Sequence, residues 1–364
     1  MNNSTTSNRF SFDLKEYIRR VHSLAIVTTD ECQARCAHCL MSSGPAETTR
    51  LSIEKMKETV DFFVRNSSLK LVSFTGGEST LLEDDLLEVI AYCSELGIAT
   101  RLVTNAYWAS KRSEATKIID KLREVGLYEI NFSMDDFHAV WIPIDNLKNA
   151  WYSAKHMGFG TVLVAMCEGP ISKVTSDYIK SFLEDEDIVI ISRLEHEPEE
   201  LPPPSSDGTR YLISKSNISR LGRGRKLRLG FLTPEPDYAS YPKTIYGGCT
   251  SLFNPVTLNP DGSFGICCGI RTEHNIILSL SAATVFDSIE ESQICYQDSL
   301  VLRAIQTVGP AILLRIVTGR ASIIEELNIR SVCEACEILT TTDEYVDSLR
   351  QLTPLLSSIV CNYP

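Results

Sequence analysis

Cys32-Gln33-Ala34-Arg35-Cys36-Ala37-His38-Cys39 presents three thiols from one short stretch of chain, in a CxxxCxxC spacing. That spacing lets a single loop offer three thiolates to one metal cluster and leaves one iron of a four-iron cluster without a protein ligand. Zinc with His38 as a fourth ligand, or buried thiols in a loop, would use the same residues. A second set lies far along the chain at Cys249, Cys267, Cys333 and Cys336. Asn259-Pro260-Asp261-Gly262 is a turn signal between the runs Pro255–Leu258 and Ser263–Cys268. A hairpin there returns Cys267, or its neighbour Cys268, to the side of Cys249. Cys333-Glu334-Ala335-Cys336 completes four sulfurs, which suit an iron-sulfur cluster or a structural zinc.

Such motifs need a frame. From Ser23 onward, short β-branched runs alternate with helical patterns, the mark of parallel strands joined by crossover helices. Strands are expected at Ser23–Thr29, Leu69–Thr75, Thr100–Thr104, Glu129–Met134, Thr161–Met166 and Ile188–Leu194. Helices are expected at Ser52–Asn66, Glu83–Glu95, Ser113–Val125, Asp145–Met157 and Ser176–Glu184, with Ser52, Ser113 and Asp145 as N-caps. Right-handed crossovers curve these strands into an α/β partial barrel of (β/α)6 type, whose chemistry gathers on the loops after the strands. The polar motifs fall on those loops: Thr28-Thr29-Asp30-Glu31-Cys32, Gly76-Gly77-Glu78, Asn105, Asp135-Asp136-Phe137-His138, and Cys167 after the fifth strand. Two adjacent glycines let the backbone approach a ligand closely. Glu195–Asp207, rich in proline and acids, reads as a loop or linker.

The cysteine loop after the first strand, with Phe74-Thr75-Gly76-Gly77-Glu78 after the second, resembles the radical S-adenosylmethionine (SAM) superfamily. His38 stands where relatives usually carry an aromatic residue. The resemblance implies a 4Fe-4S cluster on Cys32, Cys36 and Cys39 whose open iron chelates the amino and carboxylate groups of SAM. It implies that Gly76, Gly77 and Glu78 meet the SAM amino group, and that Ser133-Met134-Asp135 and Asn105 reach the same ligand. Arg220-Leu221-Gly222-Arg223-Gly224-Arg225 resembles a Gly-Arg segment found after strand six in relatives, although a solvated basic turn would read the same. The second cysteine set resembles the C-terminal extensions called SPASM and twitch. A full SPASM domain needs about seven cysteines, and only Cys361 follows Cys336. The shorter twitch form, a β-hairpin plus helix holding one auxiliary 4Fe-4S cluster, is the better match. Epimerases of the superfamily use a thiol to return a hydrogen atom, a role open to Cys167, for which a small buried apolar side chain is the plainer reading. The expected organisation is an extension over 1–22, the core over 23–194, a connecting segment over 195–247, the twitch-like region over 248–339 and a terminal helix over 340–364.

Composition narrows the function. The 364 residues carry 35 Lys and Arg against 47 Asp and Glu, a net charge of -12 that repels polyanions and argues against nucleic acid as a partner. No apolar run of about 18 residues and no signal-like N-terminus is present, which points to no membrane partner and to the cytoplasm. There the twelve cysteines are expected as thiols rather than disulfides. The resemblance implies that an external one-electron donor, such as a flavodoxin or ferredoxin, drives SAM cleavage to a 5'-deoxyadenosyl radical that takes hydrogen from a substrate. A ribosomally made peptide undergoing crosslinking or epimerisation is the first expectation; a polyol or aminosugar is the second. The extension before the first strand is too short for a winged-helix peptide-recognition domain, so a leader peptide would need another surface. A non-catalytic electron-transfer protein would use both cysteine sets but has no need of Gly-Gly-Glu. Anaerobically prepared protein should bind about eight irons, and replacing Cys32, Cys36 and Cys39 with Ala should leave about four by iron and sulfide analysis; an unchanged count would detach these cysteines from any cluster.

Overall fold

Strand β1 (Ser23–Thr29) is buried along all but its first residue. A strand apolar on both faces belongs inside a parallel sheet covered by helices. The computed structural model describes residues 14–192, 201–232, 235–267, 269–273, 275, 277–280 and 296–362. Helix α1 (Leu14–Arg19) leads into β1, and β2 (Leu71–Gly76), β3 (Ala99–Thr104), β4 (Glu129–Ser133) and β5 (Thr161–Cys167) pair in parallel in that order. The crossovers are α2 (Ile53–Asn66), α3 (Asp84–Glu95), α4 (Arg112–Glu124) and α5 (Ile144–Ala154), with α6 (Ser176–Leu183) after β5. Ser52 caps α2, its side chain accepting from the Lys55 amide at 3.2 Å. The caps expected at Ser113 and Asp145 do not form. Each lies inside its helix, and Lys111 and Pro143 hold the cap positions without a side-chain bond.

The far edge of the sheet departs from expectation. The run expected as sixth in the barrel forms β6 (Val189–Ser192), but it lies at the edge; its expected end, Arg193 and Leu194, is outside the described residues. The place beside β5 is taken by β7 (Arg210–Ser216), which lies in what the sequence suggested was a connecting segment. The burial follows this order: Tyr211, Leu212, Ile213 and Ser214 are all buried, while no residue of the edge strand β6 is.

On the other side, β8 (Val256–Leu258) pairs parallel to β1 and antiparallel to β9 (Phe264–Gly265), and β10 (Ser279–Leu280) closes the ten-stranded sheet. The Asn259–Gly262 turn forms as read, with the Asn259 amide donating to the Ser263 carbonyl at 2.9 Å. The hairpin thus continues the barrel sheet, and one apolar cluster runs from Ile18 to Leu356 across the expected boundary at residue 248. The terminal helix expected over 340–364 is two helices, Asp343–Gln351 and Thr353–Asn362. Among the described residues no single helix is long and apolar enough to cross a membrane. The Leu300–Thr307 and Pro310–Thr318 pair reaches that composition jointly, but it bends by 118° and supplies core residues such as Val301 and Leu313.

Candidate active site

The loop after β1 is shaped by backbone bonds to the loop after β2. The Gly77 amide donates to the Thr29 carbonyl at 2.7 Å and the Glu78 amide to the Glu31 carbonyl at 2.8 Å. These contacts require glycine: a Cβ on Gly77 would lie 1.9 Å from the Glu31 oxygen, and one on Gly76, at φ +130°, would lie 2.5 Å from the Thr29 oxygen. The Gly-Gly pair therefore seats the cysteine loop as well as facing the cavity. Cys32 and Cys36 are buried and Cys39 is half-buried. The Cys32 sulfur accepts from the Ala34 amide at 3.4 Å and from Asn105 Nδ2 at 3.5 Å.

The three sulfurs border a cavity of about 330 Å³, whose walls also carry Gly76, Gly77, Asn105, Ser133, His138, Cys167 and Arg223. That volume lies at the low end of ligand pockets, about 300–1,000 Å³. The donor set fits a metal cluster by its chemistry. Burial pushes the Cys32 thiol up to about 11 and the Cys36 thiol up to about 12, and neighbouring negative charges add to both. Buried thiols crowded by negative charge, as Cys32 and Cys36 are, become stable thiolates only when a cation supplies the missing charge.

Two carboxylates expected to meet the ligand stand behind the cavity wall instead. Glu78 is fully buried. Its Oε1 accepts from the Thr104 hydroxyl at 2.8 Å and the Thr80 hydroxyl at 2.7 Å, and its Oε2 from the Asn105 amide at 2.7 Å. Burial raises its pKa, which these bonds oppose. Its side chain therefore orients Asn105, which in turn reaches Cys32. Asp135 is likewise buried, accepting from the Phe137 and His138 amides and, at 3.2 Å, from the Cys167 amide. Asp135 Oδ1 lies 2.9 Å from His138 Nδ1 and Oδ2 lies 3.1 Å from His38 Nε2. Burial would raise the Asp135 pKa, but the two imidazoles outweigh it and hold the carboxyl well below its usual range. For His38, burial works against the charged ring, yet Asp135 carries its pKa up to about 9. His38 fills the aromatic position of the loop by stacking on Phe137, with ring centroids 4.6 Å apart. The grouping of His38, Asp135 and His138 was not read from the sequence, although His138 three residues after Asp135 was a usable signal.

The Gly-Arg segment follows β7 and packs on the cysteine loop, so it is no solvated turn. The Arg223 amide donates to the Cys39 carbonyl and its Nε to the Cys36 carbonyl, both at 3.0 Å. The C-terminal cysteines also converge. Cys333 and Cys336 sit on the Val332–Thr341 helix, capped by Ser331. Cys249 is tied by its amide to the Ile305 carbonyl at 3.0 Å, and the Cys267 sulfur accepts from the Gly269 amide at 3.2 Å. Burial, then the charges of Cys267, Cys249 and Cys333, push Cys336 well above the usual thiol range. Cys268, the alternative to Cys267, lies outside the described residues.

Residues 26–156 match the Radical SAM superfamily. The chain carries a radical SAM domain. YydG of Bacillus subtilis (strain 168), named for peptide biosynthesis, is 28% identical over 127 residues, covering 35% of this chain and 40% of that protein. The GTP 3',8-cyclase of Listeria welshimeri serovar 6b is 31% identical over 131 residues, covering 35% of this chain and 37% of that protein. The matched stretch thus spans 40% or less of these relatives' own length. The solved structure of native anSMEcpe with bound AdoMet covers 93% of this chain and 99% of its own at a TM-score of 0.51 and 12% identity, a likeness of fold.

Replacing Glu78 with Ala should strand the Asn105 amide and the Thr104 and Thr80 hydroxyls in a buried site, lowering stability by about 1–3 kcal/mol. The urea unfolding midpoint reads this; an unchanged midpoint would show that Glu78 does not organise the wall.

Proposed function

We propose that this protein is a radical SAM enzyme that modifies a peptide. The observation that carries the reading is the convergence of Cys32, Cys36 and Cys39 on one cavity whose wall also holds Gly76, Gly77, Asn105 and Ser133. In this reading Cys32, Cys36 and Cys39 hold a 4Fe-4S cluster, and Cys249, Cys267, Cys333 and Cys336 hold an auxiliary 4Fe-4S cluster in a twitch-type arrangement. When bound and reduced by an external one-electron donor of the flavodoxin or ferredoxin class, cluster and SAM supply a 5'-deoxyadenosyl radical.

The chain's own residues do the rest. The Gly76-Gly77 backbone and Ser133 line the space a SAM molecule would fill, and Asn105 donates to the Cys32 sulfur, a bond that tunes a cluster's potential. Glu78 and Asp135 act one layer further out, fixing Asn105 and the Cys167 backbone. The cavity walls hold the substrate beside the reacting centre and keep water from it. Cys167 faces the cavity with its amide pinned by Asp135 and its sulfur 3.7 Å from the Ser216 hydroxyl. From there its S–H can return a hydrogen atom to a substrate carbon, the step an epimerisation needs, after which an electron and a proton restore the thiol.

A peptide is favoured by the likeness to YydG. A small molecule is the second reading, favoured by the similar identity to GTP 3',8-cyclases. Reduced, reconstituted protein incubated with SAM and candidate peptides should form 5'-deoxyadenosine and a mass-altered or epimerised peptide, and Cys167→Ala should keep 5'-deoxyadenosine formation while losing an epimerised product. Deoxyadenosine formation that responds only to small molecules would reassign the substrate, and none at all would refute the enzyme.

A further inference from the structure

Arg223 is the one arginine of the Gly-Arg segment whose charge is turned toward the first cysteine loop. Its Nε donates to the Cys36 carbonyl at 3.0 Å and its amide to the Cys39 carbonyl at 3.0 Å. Its Nη2 is buried and makes no hydrogen bond among the described residues. The side chain lines the cavity that the three sulfurs border.

Gly222 permits that approach. Gly222 has φ +52°, and a Cβ on it would lie 2.2 Å from the Leu40 oxygen and 2.7 Å from the Cys39 oxygen, so the segment can approach the loop only as glycine. On either side, the arginines turn away toward the helix of the second cysteine set. Arg220 Nη2 lies 3.3 Å from Glu334 Oε2, and Arg225 Nη2 lies 2.6 Å from Glu337 Oε1. Glu334 lies between Cys333 and Cys336, and Glu337 follows them. The segment therefore spans the two cysteine sites, with one guanidinium facing the first and two facing the second.

We propose that Arg223 is a positioning residue that sets the reduction potential of the first cluster, as a fixed positive charge held by its own bonds to the Cys36 and Cys39 carbonyls. The inference rests on the radical SAM reading of the first site. A cation held beside a cluster stabilises the electron added on reduction, and in a buried place it is weakly screened. Removing it makes the cluster harder to reduce. The hydrogen bond to the Cys36 carbonyl is a separate contribution, and a neutral donor would retain it.

The test uses full-length protein reconstituted with iron and sulfide, titrated potentiometrically and read through the SAM-responsive part of the electron paramagnetic spectrum. Arg223→Gln keeps a donor and removes the charge; Arg223→Met removes both; Arg223→Lys keeps the charge; Arg225→Ala removes a half-exposed cation that faces the other helix. Arg223→Gln and Arg223→Met should lower the reduced-to-oxidised ratio at a fixed potential by about tenfold, equivalent to about 59 mV for one electron. Arg223→Lys should stay near wild type, as should Arg225→Ala, with iron content unchanged throughout. A wild-type potential in Arg223→Gln overturns the proposal. So does loss of the first cluster's iron in both neutral variants, which would make the role structural, or an equal shift in Arg223→Lys. A wild-type protein with no SAM-responsive signal would fail the radical SAM reading itself, an outcome distinct from an unshifted potential.

Discussion

The two hydrogen bonds from the Gly77 and Glu78 amides to the Thr29 and Glu31 carbonyls are the constraint on which the site depends. Without them the stretch after β1 would be a loop with three thiols. With them its entry is locked to the end of β2, and Cys32 is brought within reach of Asn105 on the loop after β3. Glu78 extends the same logic: its amide holds the first loop while its carboxylate holds the third. A single tripeptide thereby fixes the relative positions of three strand ends. Such a junction tolerates no side chain at Gly77, because the Glu31 carbonyl occupies the space.

The opposite side of the cysteine loop is held from the C-terminal half. Arg271 bonds Asp30 at 2.9 Å and the Met41 carbonyl at 2.8 Å, which flank the three cysteines. The Gly-Arg segment covers Cys36 and Cys39. Since β8 adds directly to β1, the hairpin that carries Cys267 extends the same sheet whose first strand leads into Cys32, although Cys249, Cys267 and Cys336 pack with the main apolar core and Cys32 and Cys36 lie in a smaller cluster with Phe137 and Ile218. The physical links from the C-terminal half to the first site are therefore the sheet and the Arg271 and Arg223 bonds.

Much of this was legible in the sequence, and the pattern of what was not is instructive. Strands β1 to β5 announced themselves as short β-branched runs alternating with helical patterns, and the polar strand ends followed from that frame. Strand β7 hid because Arg210 and Lys215 bracket its apolar centre and it follows a proline-rich stretch. The thiol spacing identified both cysteine sets, since ligand spacing is a property of the chain itself. The direction of a carboxylate is not: Glu78 and Asp135 were read as facing the ligand, whereas each spends its oxygens on the wall. The Gly-Arg segment read equally well as a solvated turn, because only the fold reveals which carbonyls lie against Gly222.

The central claim is that Cys32, Cys36 and Cys39 hold a cluster with one iron open to SAM. Electron paramagnetic spectroscopy of dithionite-reduced, reconstituted protein, recorded with and without SAM, tests it most directly. The account predicts a reduced 4Fe-4S signal whose g values move on adding SAM, with the SAM-responsive part missing from Cys36→Ala. A spectrum indifferent to SAM, or one that Cys36→Ala leaves intact, would contradict it.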